Sequence, residues 1–269
     1  IFYSYTPYRD QTDIPVFDST IADFNFAQLY SENVWSGYDR YAETNQVSGT
    51  ITTRLIDDKT GLEWIRASIG QRYYFNDETT GWSGGRVDQP SKSDFLASIG
   101  ARLTRSLQAT AYGQWSWERS SMQKATVGFR WQPRPMSVVG LYYRYNWSDV
   151  ENSRGYIDDY INQIDLSVQW PLTNRLYALA RQNYSFYDNK FIESLVGFEY
   201  QADCWTLRAV AQRYTRDEEE EQTSFFLQLE LTGLGSLGSS PLSELQRSIQ
   251  GYQQTTPMPT TAGTYDYYY

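Results

Sequence analysis

Between Ser106 and Glu118 the chain alternates without interruption. Leu107, Ala109, Ala111, Gly113, Trp115 and Trp117 fall on one face, and Ser106, Gln108, Thr110, Tyr112, Gln114, Ser116 and Glu118 on the other. A repeat of two held over 13 residues specifies an extended strand with one apolar and one polar side, longer than the usual strand of about five or six residues. The next stretches repeat it: Gln123, Ala125, Val127, Phe129 and Trp131 against Lys124, Thr126, Gly128 and Arg130, then Val139, Leu141, Tyr143, Tyr145 and Trp147 against Gly140, Tyr142, Arg144 and Asn146. Alternating segments of about ten residues with aromatic residues at their ends match the lipid-facing band and girdles of a membrane barrel.

Twelve such segments are predicted: 1–8, 45–56, 61–75, 93–104, 106–118, 121–132, 135–147, 159–170, 173–186, 190–201, 203–215 and 222–234. The connections at Asp57 to Thr60, Thr104 to Ser106, Gln132 to Pro135, Pro171 to Thr173 and Gln201 to Asp203 are short, whereas 9–44, 76–92 and 148–158 are predicted to be long loops. Outer-membrane barrels have short periplasmic turns and longer extracellular loops, so the parity assigns a side to each end, although 118–121, 186–190 and 215–222 are short on the long-loop side. The predicted fold class is all-β, a transmembrane antiparallel β-barrel. A soluble β-sandwich or a β-solenoid is the competing fold, but sandwich strands are shorter and do not favour Trp or Tyr at both ends of the apolar face. Pro241 to Ile249 is predicted to make a short helical turn with Leu242, Leu245 and Ile249 on one side. Beyond Gly251 the chain lacks any period and reads as a disordered tail. The organisation expected is a barrel portion over 1–234 and a periplasmic extension and tail over 235–269.

Composition narrows the chemistry. The 24 Tyr, 12 Phe and 9 Trp are amphipathic or bulky rings suited to interfaces. No stretch of about 18 to 20 apolar residues exists, so no helix can span a membrane, while a β-barrel hides its apolar half in alternate positions. The chain starts at Ile1 without a basic and apolar leader, and any secretion signal is expected to have been removed or to lie outside it. Histidine is absent, which excludes a Ser-His-Asp triad, a Cys-His pair and His-ligated zinc. Glu193 and Glu199 stand about 20 Å apart along one strand, too far to flank one glycosidic bond, so no enzyme activity, cofactor or metal is expected. The formal charge of −9 argues against nucleic acid as a partner.

On this register the inward face carries Arg54, Arg66, Arg72, Arg102, Lys124, Arg130, Arg144, Arg175, Arg181 and Arg208 against Asp94, Asp165, Glu193, Glu199 and Glu230. Ten basic groups against five acidic ones leave the acidity mainly to loops such as Asp217 to Glu221. One reading is that these charges pair across strands, as in any polar lumen. The other is an interior that guides an anionic passenger, with Arg66, Arg72, Lys124, Arg130, Arg144, Arg175, Arg181 and Arg208 as candidate guiding residues. Cys204, the only cysteine, follows a turn that parity places in the periplasm. It is either a buried small hydrophobe or one half of a disulfide to a segment outside this chain.

Further ordered features resemble one family. Tyr5-Thr6-Pro7-Tyr8-Arg9-Asp10-Gln11, Pro15, Phe17-Asp18-Ser19, Asp23-Phe24-Asn25, Ser36-Gly37-Tyr38-Asp39-Arg40 and Asn45-Gln46 resemble the large-loop signature of the LptD family, lipopolysaccharide-assembly proteins of the Gram-negative outer membrane. Gly70-Gln71 with Tyr73-Tyr74-Phe75, Cys204-Trp205 and the Leu231 to Gly238 run are similar to the same family in the same order, so the resemblance extends from Tyr3 to about Tyr252. It implies the C-terminal part, about twelve strands, of a larger integral outer-membrane barrel, whose earlier strands and N-terminal periplasmic jellyroll are not in this sequence. It further implies that lipopolysaccharide is translocated and inserted into the outer leaflet. The lipoprotein LptE would plug the lumen, the periplasmic bridge protein LptA would connect through the N-terminal domain, and loop 9–44 would cap the extracellular mouth. Acyl chains would leave through a seam between the first and last strands, the last here being 222–234, whose Phe225, Leu227, Leu229 and Leu231 meet outer-membrane lipid. The family usually shows two adjacent cysteines bonded to the N-terminal region, and Asp203-Cys204 matches only the second. That leaves room for one interdomain disulfide and not for a pair. A self-contained twelve-strand porin or autotransporter translocator is the alternative function, and a soluble lectin-like sandwich a third.

Overall fold

The alternating segments are strands in the computed structural model, which describes residues 1–152, 155–215, 221–239 and 241–254, the side chains of 148–159 excepted. The elements are β1 (Phe2–Thr6), β2 (Thr20–Ile21), a 3-10 turn (Gln28–Tyr30), β3 (Trp35–Ser36), β4 (Thr44–Ile56), β5 (Glu63–Tyr74), β6 (Glu78–Thr80), β7 (Arg86–Asp88) and β8 (Phe95–Arg102). They continue as β9 (Leu107–Ser116), β10 (Ser121–Arg134), β11 (Ser137–Asn152), β12 (Gly155–Pro171), β13 (Leu176–Ser185), β14 (Lys190–Gln201), β15 (Trp205–Thr215), β16 (Glu221–Leu231), β17 (Gly235–Gly238) and α1 (Leu242–Ser248). The main sheet has the order β1-β4-β5-β8-β9-β10-β11-β12-β13-β14-β15-β16-β17, its strands neighbouring one another in chain order. β2 and β3 form a small hairpin within the first long loop, and β6 and β7 another within the second. Each of the twelve predicted segments overlaps one main-sheet strand, with β11 and β12 running several residues beyond theirs.

Two expectations are corrected. The long loop expected over 148–158 is largely strand, since β11 runs to Asn152 and β12 starts at Gly155. Charged residues break the apolar alternation after Trp147, but a ladder is made by backbone groups and continues without an apolar face. The sheet also continues past 222–234. Gly235–Gly238 folds back on β16, pairing Gln228 with Gly238 and Leu231 with Gly235.

Short polar residues close the turns. Oδ1 of Asp57 accepts the amides of Lys59 and Thr60 at 2.9 Å each, and Gly61 follows at φ +69°, a left-handed conformation that glycine adopts without a Cβ penalty. Thr104 and Thr173 act alike: each hydroxyl accepts the amide of the residue three ahead, Leu107 or Leu176, at 3.0 Å. These contacts close the turns that hold neighbouring strands in register.

The chain divides into two units, one of 1–102, 109–127 and 144–160, the other of 103–108, 128–143 and 161–269. In each unit the usual distribution of burial is inverted. In the first, Ile51 is 71% exposed while Gln46, Ser48 and Arg72 on the opposite face are buried. In the second, Val196, Phe225 and Leu227 are exposed while Gln169, Glu199 and Arg208 are buried.

Candidate functional site

In the first unit, loop 9–44 covers the polar face of β4 and β5. Leu29 in its 3-10 turn is fully buried, and a Cβ on Gly70 would meet Leu29 at 2.6 Å and Thr50 at 2.7 Å, so glycine makes room for the loop. The clasp is Arg72. Its guanidinium donates to Ser48 at 3.0 Å, to the carbonyl of Ser31 at 3.2 Å and to that of Gln28, and it faces the rings of Phe24 and Tyr74. Lys124 pairs with Asp23 of the same loop, and Phe26 meets Tyr112 edge-on. Farther out, Arg40 is buried and donates to the carbonyls of Gln11 at 2.6 Å, Ile14 at 2.8 Å and Trp82 at 3.2 Å, joining both long loops. Asp39 accepts the amides of Asp18 and Phe17 at 2.7 and 2.8 Å, which hold its carboxyl below the usual carboxylate range.

In the second unit the polar face is covered by the C-terminal segment. Leu245 and Ile249 of α1 and its flank pack on Leu179, Leu195 and Val210, with Phe226 and Tyr252 at the margin. The four-residue spacing puts both on one side of the helix, while Glu244 and Arg247 lie at its start and end. Two charge networks flank this apolar contact. Arg181 pairs with Asp165 and with Glu193, each at 2.6 Å, and Ser248 lies 3.4 Å from it. Arg208 pairs with Glu199 at 3.2 Å and with Glu230, and donates to Gln228, while Tyr252 donates to Glu199 at 2.8 Å. Burial beside the Glu199 carboxylate pushes the Tyr252 phenol above its ordinary range. Gln253 exchanges hydrogen bonds with Gln169 at 2.7 and 2.9 Å and accepts the Met136 amide. Tyr252 and Gln253 are therefore docked, contrary to the tail expected after Gly251. Side-chain chemistry, not periodicity, holds them. The remainder of that tail, from 255 on, lies outside the described residues.

The ten-to-five excess of inward cations shrinks once the chain is folded. Glu63 binds Arg66 at 2.8 Å and lies 3.9 Å from Arg54, Asp23 takes Lys124, and Asp203 takes Arg175 at 2.9 Å. These three carboxylates escaped a strand-face tally because Asp23 and Asp203 sit in connections and Glu63 beside a register shift between Leu55 and Ile56. Arg130 donates to Gln108, and Arg144 and Arg102 are exposed. Asp94 accepts from Gln114 at 2.7 Å. Of the acidic run Asp217 to Glu221, only Glu221 is described, and it pairs with Arg213.

On β16, Phe225 and Leu227 are exposed, Leu229 and Leu231 half-buried, and Gln228 is buried on the other face. Cys204 is exposed in the connection between β14 and β15, its carbonyl accepting the Thr232 amide at 2.9 Å. The alternative of a buried small hydrophobe is thereby overturned: a tight turn leaves its side chain uncovered. Among the described residues no cluster of acidic, Cys or His groups has the makings of a metal site.

Comparison with known proteins accords with this arrangement. The family model "LPS transport system D", LptD, matches residues 1–176. Proteins named LPS-assembly protein LptD are similar over nearly the whole chain: 36% identical in Thiobacillus denitrificans over 97% of this chain and 34% of that protein, and 40% identical in Aromatoleum aromaticum over 94% and 31%. That of Chromobacterium violaceum is 39% identical over 94% and 32%. The chain thus spans about a third of the length of these relatives. With its all-β antiparallel fold and this match, the chain belongs to the LptD family of outer-membrane β-barrel proteins.

Proposed function

We propose that this chain is the C-terminal part of the barrel of a lipopolysaccharide translocon, integral to the Gram-negative outer membrane, which carries lipopolysaccharide to the outer leaflet without chemical conversion. The observation that carries the reading is the inverted burial within each unit: in the first, exposed Ile51 against buried, hydrogen-bonded Arg72, and in the second, exposed Val196, Phe225 and Leu227 against buried Arg208 and largely covered Arg181, both charge-paired. Lipid solvates an apolar exterior, and a polar interior is what a sugar chain can pass. The relatives' shared name supports lipopolysaccharide as the passenger. In this reading the LptE lipoprotein plugs the lumen, LptA delivers through an N-terminal domain, and Cys204 forms a disulfide with that domain. A seam at the end of the sheet formed by β16 and β17 releases the acyl chains.

Loop 9–44 engages Arg72 and Lys124, and cross-strand carboxylates engage Arg181 and Arg208, so guidance of the anionic head falls to cations such as Arg66 and Arg144. The test is photo-crosslinking in living cells. Crosslinkers at 66 and 144 are expected to capture lipopolysaccharide, whereas those at 127 and 227 report bulk lipid. Equal capture at all four positions overturns the transport path.

A further inference from the structure

Arg54 and Arg66 stand directly opposite each other on β4 and β5, and Arg66 stands opposite Gly100 on β8. Directly opposed residues of an antiparallel pair share a face, and like charges there repel. Arg102, two residues beyond Gly100, is on that face as well. Among the described residues the one carboxylate in ion-pair contact is Glu63: it holds Arg66 through two hydrogen bonds, 2.8 and 3.0 Å, and reaches Arg54 at only 3.9 Å. Among the described residues no carboxylate lies within ion-pair distance of Arg102. Asp57, Asp58 and Lys59 occupy the adjacent turn, where the Asp57 carboxylate is taken up by the amides of Lys59 and Thr60. Three guanidinium groups thus share one carboxylate.

The surroundings are open. The Arg54 and Arg66 side chains are 53% and 56% exposed, and no atom lies within 4 Å of where a Cβ on Gly100 would stand, leaving a hollow between Arg66 and Arg102. Elsewhere on the polar faces, Arg72 and Arg208 are buried and Arg181 is largely covered and paired with two carboxylates. This cluster differs in being uncovered and cationic in excess, at the strand ends nearest the short Asp57 turn.

We propose that Arg54, Arg66 and Arg102, around Glu63, form a binding site for phosphate groups, in particular those of a phosphorylated glycolipid. The guanidinium fork matches two phosphate oxygens at once, and an added anion relieves the repulsion between Arg54 and Arg66. Its exposure suits transient occupancy, because a buried and fully matched site would hold a passenger too long. The glycolipid assignment rests on the transport reading given above, whereas the phosphate chemistry rests on the cluster alone.

The test uses the full-length protein with its natural partners in detergent, titrated separately with lipopolysaccharide, chemically dephosphorylated lipopolysaccharide and inorganic pyrophosphate. Arg54→Gln, Arg66→Gln and Arg102→Gln together are expected to weaken lipopolysaccharide and pyrophosphate binding about tenfold, with little effect on the dephosphorylated form. Glu63→Gln is expected to tighten both, and this variant decides the matter if the triple one misfolds. Binding unchanged in the triple variant, or weakened by Glu63→Gln, overturns the site and leaves the transport reading standing. Pyrophosphate bound by the parent and lost in the triple variant, with lipopolysaccharide bound by neither, supports the phosphate site as one for free phosphates and counts against the transport reading. Failure of the parent to bind either anion overturns both.

Discussion

The phenol of Tyr252 donates to Oε2 of Glu199 at 2.8 Å, and Arg208 reaches the other oxygen of the same carboxylate at 3.2 Å. A residue beyond the last strand thereby completes a buried charge network on β14, β15 and β16. Tyr252→Phe removes the donor and keeps the ring. It is expected to lower stability by about 1 to 2 kcal/mol, read as a reduced unfolding midpoint in denaturant. Leu245→Ala, which opens a cavity over Leu179, Leu195 and Val210, is expected to cost about 2 to 4 kcal/mol in the same measurement.

Arg208 and Glu199 are worth most as a pair. Arg208→Met leaves buried Glu199, and Glu230 beside it, without their cation and is expected to destabilise by about 3 to 5 kcal/mol. Adding Glu199→Gln to it is expected to recover part of that loss. A double-mutant cycle by chemical denaturation checks the sign, and a purely additive double variant contradicts the coupling.

The two faces of β16 are expected to respond differently to charge. In the membrane reading, Leu227→Arg puts a cation into lipid and costs about 2 to 4 kcal/mol near the midplane, while Ser224→Arg on the other face is tolerated. Heat-modifiable mobility of the full-length protein on gels gives the readout. Glu230 is no neutral control, because replacing it removes a partner of Arg208.

Asp39 sets a pH window for the long loops. Its carboxylate accepts the Asp18 and Phe17 amides, so its folded pKa is depressed. The contribution is fully present above the unfolded value of about 4 and is lost as pH falls through the lower folded value. Limited proteolysis within 9–44 is therefore expected to be unchanged between about pH 5 and 8 and to rise only below about pH 4. Asp39→Ala is expected to bring that sensitivity to neutral pH.

Cys204 is exposed, so a reduced chain is expected to react readily with a maleimide. In oxidised full-length protein the proposed disulfide predicts protection until a reductant is added. Ready labelling of Cys204 in native membranes contradicts it.

Alternation alone located twelve of the thirteen main-sheet strands and assigned Phe225 and Leu227 to the apolar face and Gln228 to the polar one, because side chains on a strand repeat every two residues whatever surrounds them. Leu242, Leu245 and Ile249 likewise announced the short helix. Sequence could not say where that helix docks, nor that Tyr252 reaches Glu199, since both depend on partners distant in the chain, 53 residues away in the case of Glu199. The same holds for the cations. Their types and faces were legible, but which are sealed was decided by tertiary structure: a loop covers Arg72, the C-terminal segment closes over Arg181 and Arg208, and Glu63 is left to answer Arg54 and Arg66. Local periodicity encodes which way a side chain points. What meets it there is a property of the folded chain.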